Sequence, residues 1–163
     1  MSPSEYGTHI HPLTVAVLAT KGAVLEMGCG DFSTPLLHAL CKERKLVSTD
    51  TDKEWLDKFR HFQSYWHVLE YVNVYEGGSE TNWNRYSEQR WSVVFIDHRP
   101  GERRALDVYK MRDKAEIVVC HDTQQPSYGY EHAFKHFKYR YDYKTYDVWT
   151  TLVSNTIDVA SLF

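Results

Sequence analysis

Five short apolar runs set the limits on this chain. They are "AVLEMG" (Ala23–Gly28), "KLVST" (Lys45–Thr49), "LEYVNVYE" (Leu69–Glu76), "SVVFID" (Ser92–Asp97) and "EIVVCHD" (Glu116–Asp122). Each is too short for a buried helix and reads as a buried strand. Between them lie helical patterns. Leu36, Leu37, Leu40 and Cys41 follow Thr34-Pro35, read as an N-cap and first helical turn. "TDKE" (Thr51–Glu54) has capping-box form ahead of Trp55, Leu56, Phe59 and Phe62. Gly101–Arg112 and Tyr130–Phe137 read as later helices, His11–Thr20 as a leading one, and Ser79–Gln89 as a short helix or loop.

Strands alternating with helices predict an α/β domain with a mostly parallel sheet and helices on both faces. The end of the chain breaks the rhythm. Tyr139, Tyr141 and Tyr143 alternate with Arg140, Asp142 and Lys144, which suits a half-solvated strand. "VWTTLVS" (Val148–Ser154) follows closely enough to form an antiparallel hairpin with it. Five βα units and this hairpin make a seven-stranded sheet. The 163 residues form one domain: an N-terminal lid or helix over 1–22, a core over 23–154 and a tail over 155–163.

The turn after the first strand reads Gly28-Cys29-Gly30-Asp31-Phe32-Ser33. A dinucleotide fingerprint would be G-x-G-x-x-G, and Ser33 replaces its last glycine. Glu26 stands two residues before the first glycine and Asp31 lies inside the turn. Carboxylates there repel a pyrophosphate and favour a cationic group such as an ammonium. Asp50 ends the second strand, where an acid can accept ribose hydroxyls.

Together "VLEMGCGDFSTPLL", "LVSTDTDKEW", "VVFIDHRPG" and "IVVCHDT" resemble the class I (seven-strand, Rossmann-like) S-adenosylmethionine-dependent methyltransferases. The resemblance runs from Ala23 to Ser154 and implies S-adenosylmethionine as cofactor. It implies cofactor contacts at Glu26, Gly28, Gly30, Ser33, Asp50 and Asp97. The family's adenine contact after the third strand has no clear match in "EGGSETNW".

Glu26, Asp50, Asp97, His98, His121 and Asp122 all fall at the carboxyl ends of the expected strands, where open α/β sheets bind ligands. Asp97, His121 and Asp122 are the candidate catalytic residues, with histidine as base and aspartate to orient it. A divalent metal on Asp97 and Asp122, as in some O-methyltransferases of that family, is the less favoured reading, because no third acid is evident. Plainer readings stand beside these. His121-Asp122 could be a local hydrogen-bonded pair and His98 a loop histidine. Arg99, Arg103 and Arg104 could bind an anionic acceptor or a carboxylate but read first as a solvated helix face, Cys29 reads as a small filler, and the tyrosine alternation as core or dimer packing ahead of substrate binding. "EYGTHIHP" is read as a lid in which Tyr6, Thr8 and His9 fold over the cofactor, or as plain helix-leading structure.

Composition narrows the partners. A net charge of −3 supplies no basic field for nucleic acid or acidic membranes. No apolar run approaches the roughly 20 residues that span a bilayer, and the N-terminus lacks the form of a secretory signal. Three cysteines without CxxC spacing fit a reducing, cytoplasmic setting without disulfides or a zinc knuckle. The expectation is methyl transfer to oxygen or nitrogen of a small-molecule or sugar-like acceptor, with no nucleic acid or membrane partner and with a homodimer left open. The alternatives are a non-catalytic nucleoside-binding module and an NAD- or nucleotide-sugar-dependent Rossmann enzyme.

Overall fold

A computed structural model describes residues 5–73 and 79–163. Seven strands form one sheet: β1 (Val24–Met27), β2 (Leu46–Asp50), β3 (His67–Tyr71), β4 (Trp91–Ile96), β5 (Ala115–His121), β6 (Tyr139–Tyr143) and β7 (Thr150–Ser154). Their order is β3-β2-β1-β4-β5-β7-β6. The first five strands run parallel, and β7 runs antiparallel to both β5 and β6. The expected mostly parallel sheet with a closing antiparallel hairpin is therefore present.

Alternate residues of each strand serve opposite faces. Val24, Leu46, Val93, Phe95, Ile117, Val119 and Leu152 pack with Leu13, Ala16 and Val17 of α1 (Ile10–Leu18) and Leu37 of α2 (Ser33–Leu40). On the other face, Leu25, Met27, Val94, Ile96, Val118 and Cys120 meet α4 (Ser79–Ser87), α5 (Arg104–Met111) and α6 (Tyr130–Phe134). A small satellite of Leu56, Phe59, Leu69 and Cys29 seats α3 (Lys53–Asp57) at the β2–β3 side.

Several local expectations are corrected. The N-cap of α3 is Asp52, whose carboxylate accepts from Trp55 N–H at 3.0 Å, rather than Thr51. Thr34 does not cap α2; it sits in the first turn and points down to Glu26. β3 begins at His67, two residues before the expected Leu69, because its buried first position carries a histidine instead of an aliphatic residue. The rest of that expected strand, residues 74–76, lies outside the described residues, as does the start of "EGGSETNW". Ser79–Gln89 holds a helix, which ends at Ser87. The segment before α1 is no loose cover: Thr8 and His9 are both 3% exposed, whereas Tyr6 is 76% exposed. The tail also packs, with Val159 buried and the Phe163 ring stacked on Tyr141 at 4.3 Å. The tyrosine strand thus spends part of its aromatic face on its own chain.

Candidate active site

Strand order reverses between β1 and β4, and the crevice at such a switch point is where open α/β sheets bind ligands. The β1 turn lies directly against the end of β4. Gly28 has φ +100°, and a Cβ there would stand 2.7 Å from the Asp97 carbonyl and the His98 nitrogen. The β1–β4 ladder continues into this contact, with Asp97 N–H donating to Met27 O at 2.9 Å. Gly28 is therefore needed first by packing, and that packing puts the turn beside Asp97.

Glu26 is fully buried on the α2 side of β1. The Thr34 hydroxyl is 3.0 and 3.1 Å from its two oxygens and itself accepts the Gly30 N–H at 3.0 Å. Burial pushes the Glu26 carboxyl up to about 7, although hydroxyls of Ser33, Ser48 and Thr34 pull the other way. Glu26 thus reaches the glycine turn through Thr34, from beneath. Ser48 continues the polar strip to His67 at 2.8 Å, and His67 shares a 3.0 Å hydrogen bond with His38.

Asp50 holds the turn from the β2 side. One carboxylate oxygen accepts Cys29 N–H at 2.8 Å and the other accepts Asp52 N–H at 2.8 Å. Burial raises its carboxyl above the ordinary range, while these backbone donors work against the rise. Cys29 is buried and its thiol is pushed up by burial and by Glu26 and Asp50, which fits a filler and not a nucleophile. Ser33 is 1% exposed and lies beneath Gly30, whose hypothetical Cβ would meet Ser33 Oγ at 3.0 Å.

Asp97, His121 and Asp122 do come together. His121 Nδ1 is 3.4 Å from Asp97 Oδ2 and 3.7 Å from Asp122 Oδ1, and its Nε2 is 3.0 Å from Thr8 Oγ1. Asp122 takes a left-handed backbone, φ +57°, immediately after β5. Local strain of that kind is tolerated by aspartate and recurs at functional sites.

Arg104 overturns the reading of a solvated arginine face. It is 5% exposed and lies between the two aspartates, 3.0 Å from Asp97 Oδ1 and 3.0 Å from Asp122 Oδ2. It also donates to the carbonyls of His98 at 2.7 Å and Asp97 at 2.9 Å. Burial opposes its charge, but Asp97, Tyr130 and Asp122 more than compensate and hold the guanidinium above its ordinary value. Burial likewise works to raise Asp97, yet His121 and Arg104 hold its carboxyl below the usual range. Arg103 is also paired, with Asp107 at 3.1 Å. His98 turns away from the edge, packed on Trp83 with Nε2 2.9 Å from Asp107, and serves the core.

Sequence reasoning gave His9 only a place in a lid. Its ring is buried against Phe95 and edge-on to His121, with centroids 4.8 and 4.7 Å away. Burial and the neighbouring His121 push it down to about 3, against the pull of Asp97. The position carried one signal, a polar residue heading a helix that packs on β4 and β5. A separate recess of about 420 Å³, lined by Asn84, Lys110 and Arg112, lies where α4 and α5 end, away from this chemistry.

No family model matches the chain, and no curated protein matches it in sequence. Solved structures do match. The bifunctional kinase-methyltransferase WbdD superposes with TM-score 0.64 at 12% identity over 90% of this chain. This chain spans only 39% of WbdD. An O-methyltransferase from Bacillus cereus, solved with SAH, gives TM-score 0.65 at 12% identity over 94% of this chain and 82% of that one. The fold is the class I methyltransferase fold. Spermidine synthase from Thermotoga maritima shares it, with TM-score 0.67 and 16% identity over 98% of this chain and 63% of that one. The same fold thus serves proteins of different activity, and it does not by itself fix what a chain does. Among the described residues no helix is long and apolar enough to cross a membrane.

Proposed function

We propose that this chain binds S-adenosylmethionine and transfers its methyl group to an oxygen or nitrogen of a small-molecule or sugar-like acceptor. The observation that carries the reading is the charge of the edge. Asp50 holds the glycine turn, Asp97 adjoins it and Asp122 stands beside Asp97 across Arg104, whose guanidinium is already held by both aspartates. Carboxylates this close to the turn work against a pyrophosphate, whereas a cofactor bearing positive charge and ribose hydroxyls meets acceptors there. This disfavours the NAD and nucleotide-sugar alternatives.

The residues fit such a group. Asp50 would accept ribose hydroxyls with the lone pairs left over from its two backbone donors. Gly28 and Gly30 keep the turn tight against Asp97 and Ser33, and Ser33 and Glu26 hold its shape from below. Asp97 would face the cationic part. When bound, the cofactor supplies an electrophilic methyl group.

On the acceptor side, His121 would take the proton from the attacking atom, Asp97 would fix the ring, and Asp122, tied to Arg104, would keep both in place. Alignment supplies most of the acceleration in a displacement of this kind, and a positioned base adds about 10²–10⁴-fold. A cytoplasmic location is part of this proposal and rests on the three unpaired, buried cysteines.

Calorimetric titration with S-adenosylmethionine, S-adenosylhomocysteine and NAD tests the cofactor. Micromolar binding of the first two and none of NAD is expected. NAD binding alone would overturn the reading of the edge, and binding of none would favour a module without chemistry.

A further inference from the structure

We propose that His9, Asp97 and His121 form a binding site for a mid-series divalent ion such as Zn²⁺ or Co²⁺. One ligand atom from each of these three residues lies within 4.8 Å of the others. The site joins three remote parts of the chain: the segment before α1, the end of β4 and the end of β5.

His9 is the observation that points to a ligand. Its side chain is 97% removed from solvent, and among the described residues neither ring nitrogen has a hydrogen-bond partner. A buried polar group left unpaired costs about 1–3 kcal/mol, so such groups normally have a function or a partner. His9 sits edge-on to His121 and beside Asp97, facing groups that donate electron pairs.

The His121–Asp97 spacing agrees. A separation of 3.4 Å is long for a charge-assisted hydrogen bond, about 2.7–2.9 Å. It matches two ligands sharing one tetrahedral ion, which at bond lengths of about 2.0–2.1 Å stand roughly 3.3 Å apart. With Nδ1 turned toward Asp97, Nε2 of His121 is 3.0 Å from the Thr8 hydroxyl, the outer contact that a ligating imidazole generally makes. Charge agrees as well. Arg104 neutralises one of the two aspartates it touches, which leaves the cluster one net negative charge to offset part of a divalent ion's charge.

This is not the Asp97–Asp122 pair considered from sequence. Arg104 occupies the space those carboxylates would share, and Asp122 turns one oxygen onto the guanidinium. Two imidazoles and one carboxylate select zinc, cobalt, nickel or iron over magnesium. Three protein ligands leave a fourth position for an outside group.

The test is Co²⁺ titration of tag-free protein, followed by ligand-field absorption, with Zn²⁺ affinity measured by chelator competition. One equivalent with a tetrahedral spectrum is expected. His9→Phe keeps the ring's bulk and removes both unpaired nitrogens, so it should fold with an unchanged or higher urea midpoint. It should lose Zn²⁺ affinity by at least ~100-fold. Asp97→Asn and His121→Phe should lose it too. A protein that binds no Co²⁺ overturns the site. So does binding unaffected by His9→Phe, which would place the ion elsewhere, for example on the His38–His67 pair. S-adenosylhomocysteine titration in the presence of chelator separates the two proposals. Cofactor binding without a Co²⁺ signature overturns the metal site alone, and a Co²⁺ signature without cofactor binding overturns the cofactor reading alone.

Discussion

Arg104 and Asp122 meet at 3.0 Å across the carboxyl ends of neighbouring strands, with the guanidinium almost wholly buried. The same guanidinium reaches Asp97 and two carbonyls, so it fixes where both aspartates stand. Removing one partner of a buried ion pair typically costs about 3–5 kcal/mol. Arg104→Met should therefore lower the stability measured by urea unfolding by roughly that amount. Arg104→Lys should recover only part of it, because an ammonium lacks the fork that spans both carboxylates. A loss below about 1 kcal/mol would show that the arginine is incidental.

Glu26 makes stability depend on pH with an unusual sign. Its carboxyl is raised from 4.5 to about 7 in the folded chain, so the folded state prefers the protonated form. The contribution is complete below pH 4.5 and is lost as pH rises through 7, a change of about 3 kcal/mol. His67, lowered to about 4, has the opposite slope, losing its contribution as pH falls from 6.5. The comparison that isolates Glu26 is therefore Glu26→Gln against the parent chain from pH 5 to 8. The variant should gain relative stability across that range, and parallel curves would reject the shift.

Asp50→Ala removes the acceptor for Cys29 and Asp52 N–H groups. Stability should fall by about 1–3 kcal/mol, and S-adenosylhomocysteine affinity by roughly 10–100-fold, since hydrogen bonds to a charged group are lost from both protein and ligand. Calorimetry reads the second effect and urea unfolding the first. A stable variant with parent-like affinity would remove Asp50 from the cofactor site.

His121→Asn separates turnover from binding. Once an acceptor is in hand, turnover should fall about 100-fold or more while S-adenosylhomocysteine affinity stays within about twofold. Unchanged turnover would exclude His121 from the acceptor side, whether as base or as ligand.

The sheet was legible because β1 and β4 are buried at every position and β5 at every position but Glu116, so the runs are apolar on both faces and leave little ambiguity of period. The acids Asp50 and Asp97 were legible for a related reason: each sits where an apolar run stops. Arg104 was not. On a helix whose apolar face is Val108 and Met111, an arginine at the first position looks solvated, and only the strand order brings Asp97 and Asp122 over it. Thr34 was misread because a threonine before a proline has the form of a cap, while its real partner, Glu26, is eight residues away through a turn. His9 was the hardest, since its neighbours lie on β4 and β5, and no local pattern reports a contact that distant.

The absence of a side chain at Gly28 has a mechanical consequence. The turn after β1 and the acid after β4 touch backbone to backbone, so neither can shift without the other. The floor of the crevice is one stiff piece, centred on the sheet. Thr8 and His9 press on the same piece from the other side of β4 and β5, buried on His121 and Phe95. Slow amide exchange at Met27 and Asp97 together, moving in step when Gly28 is changed to alanine, would be the mark of that coupling.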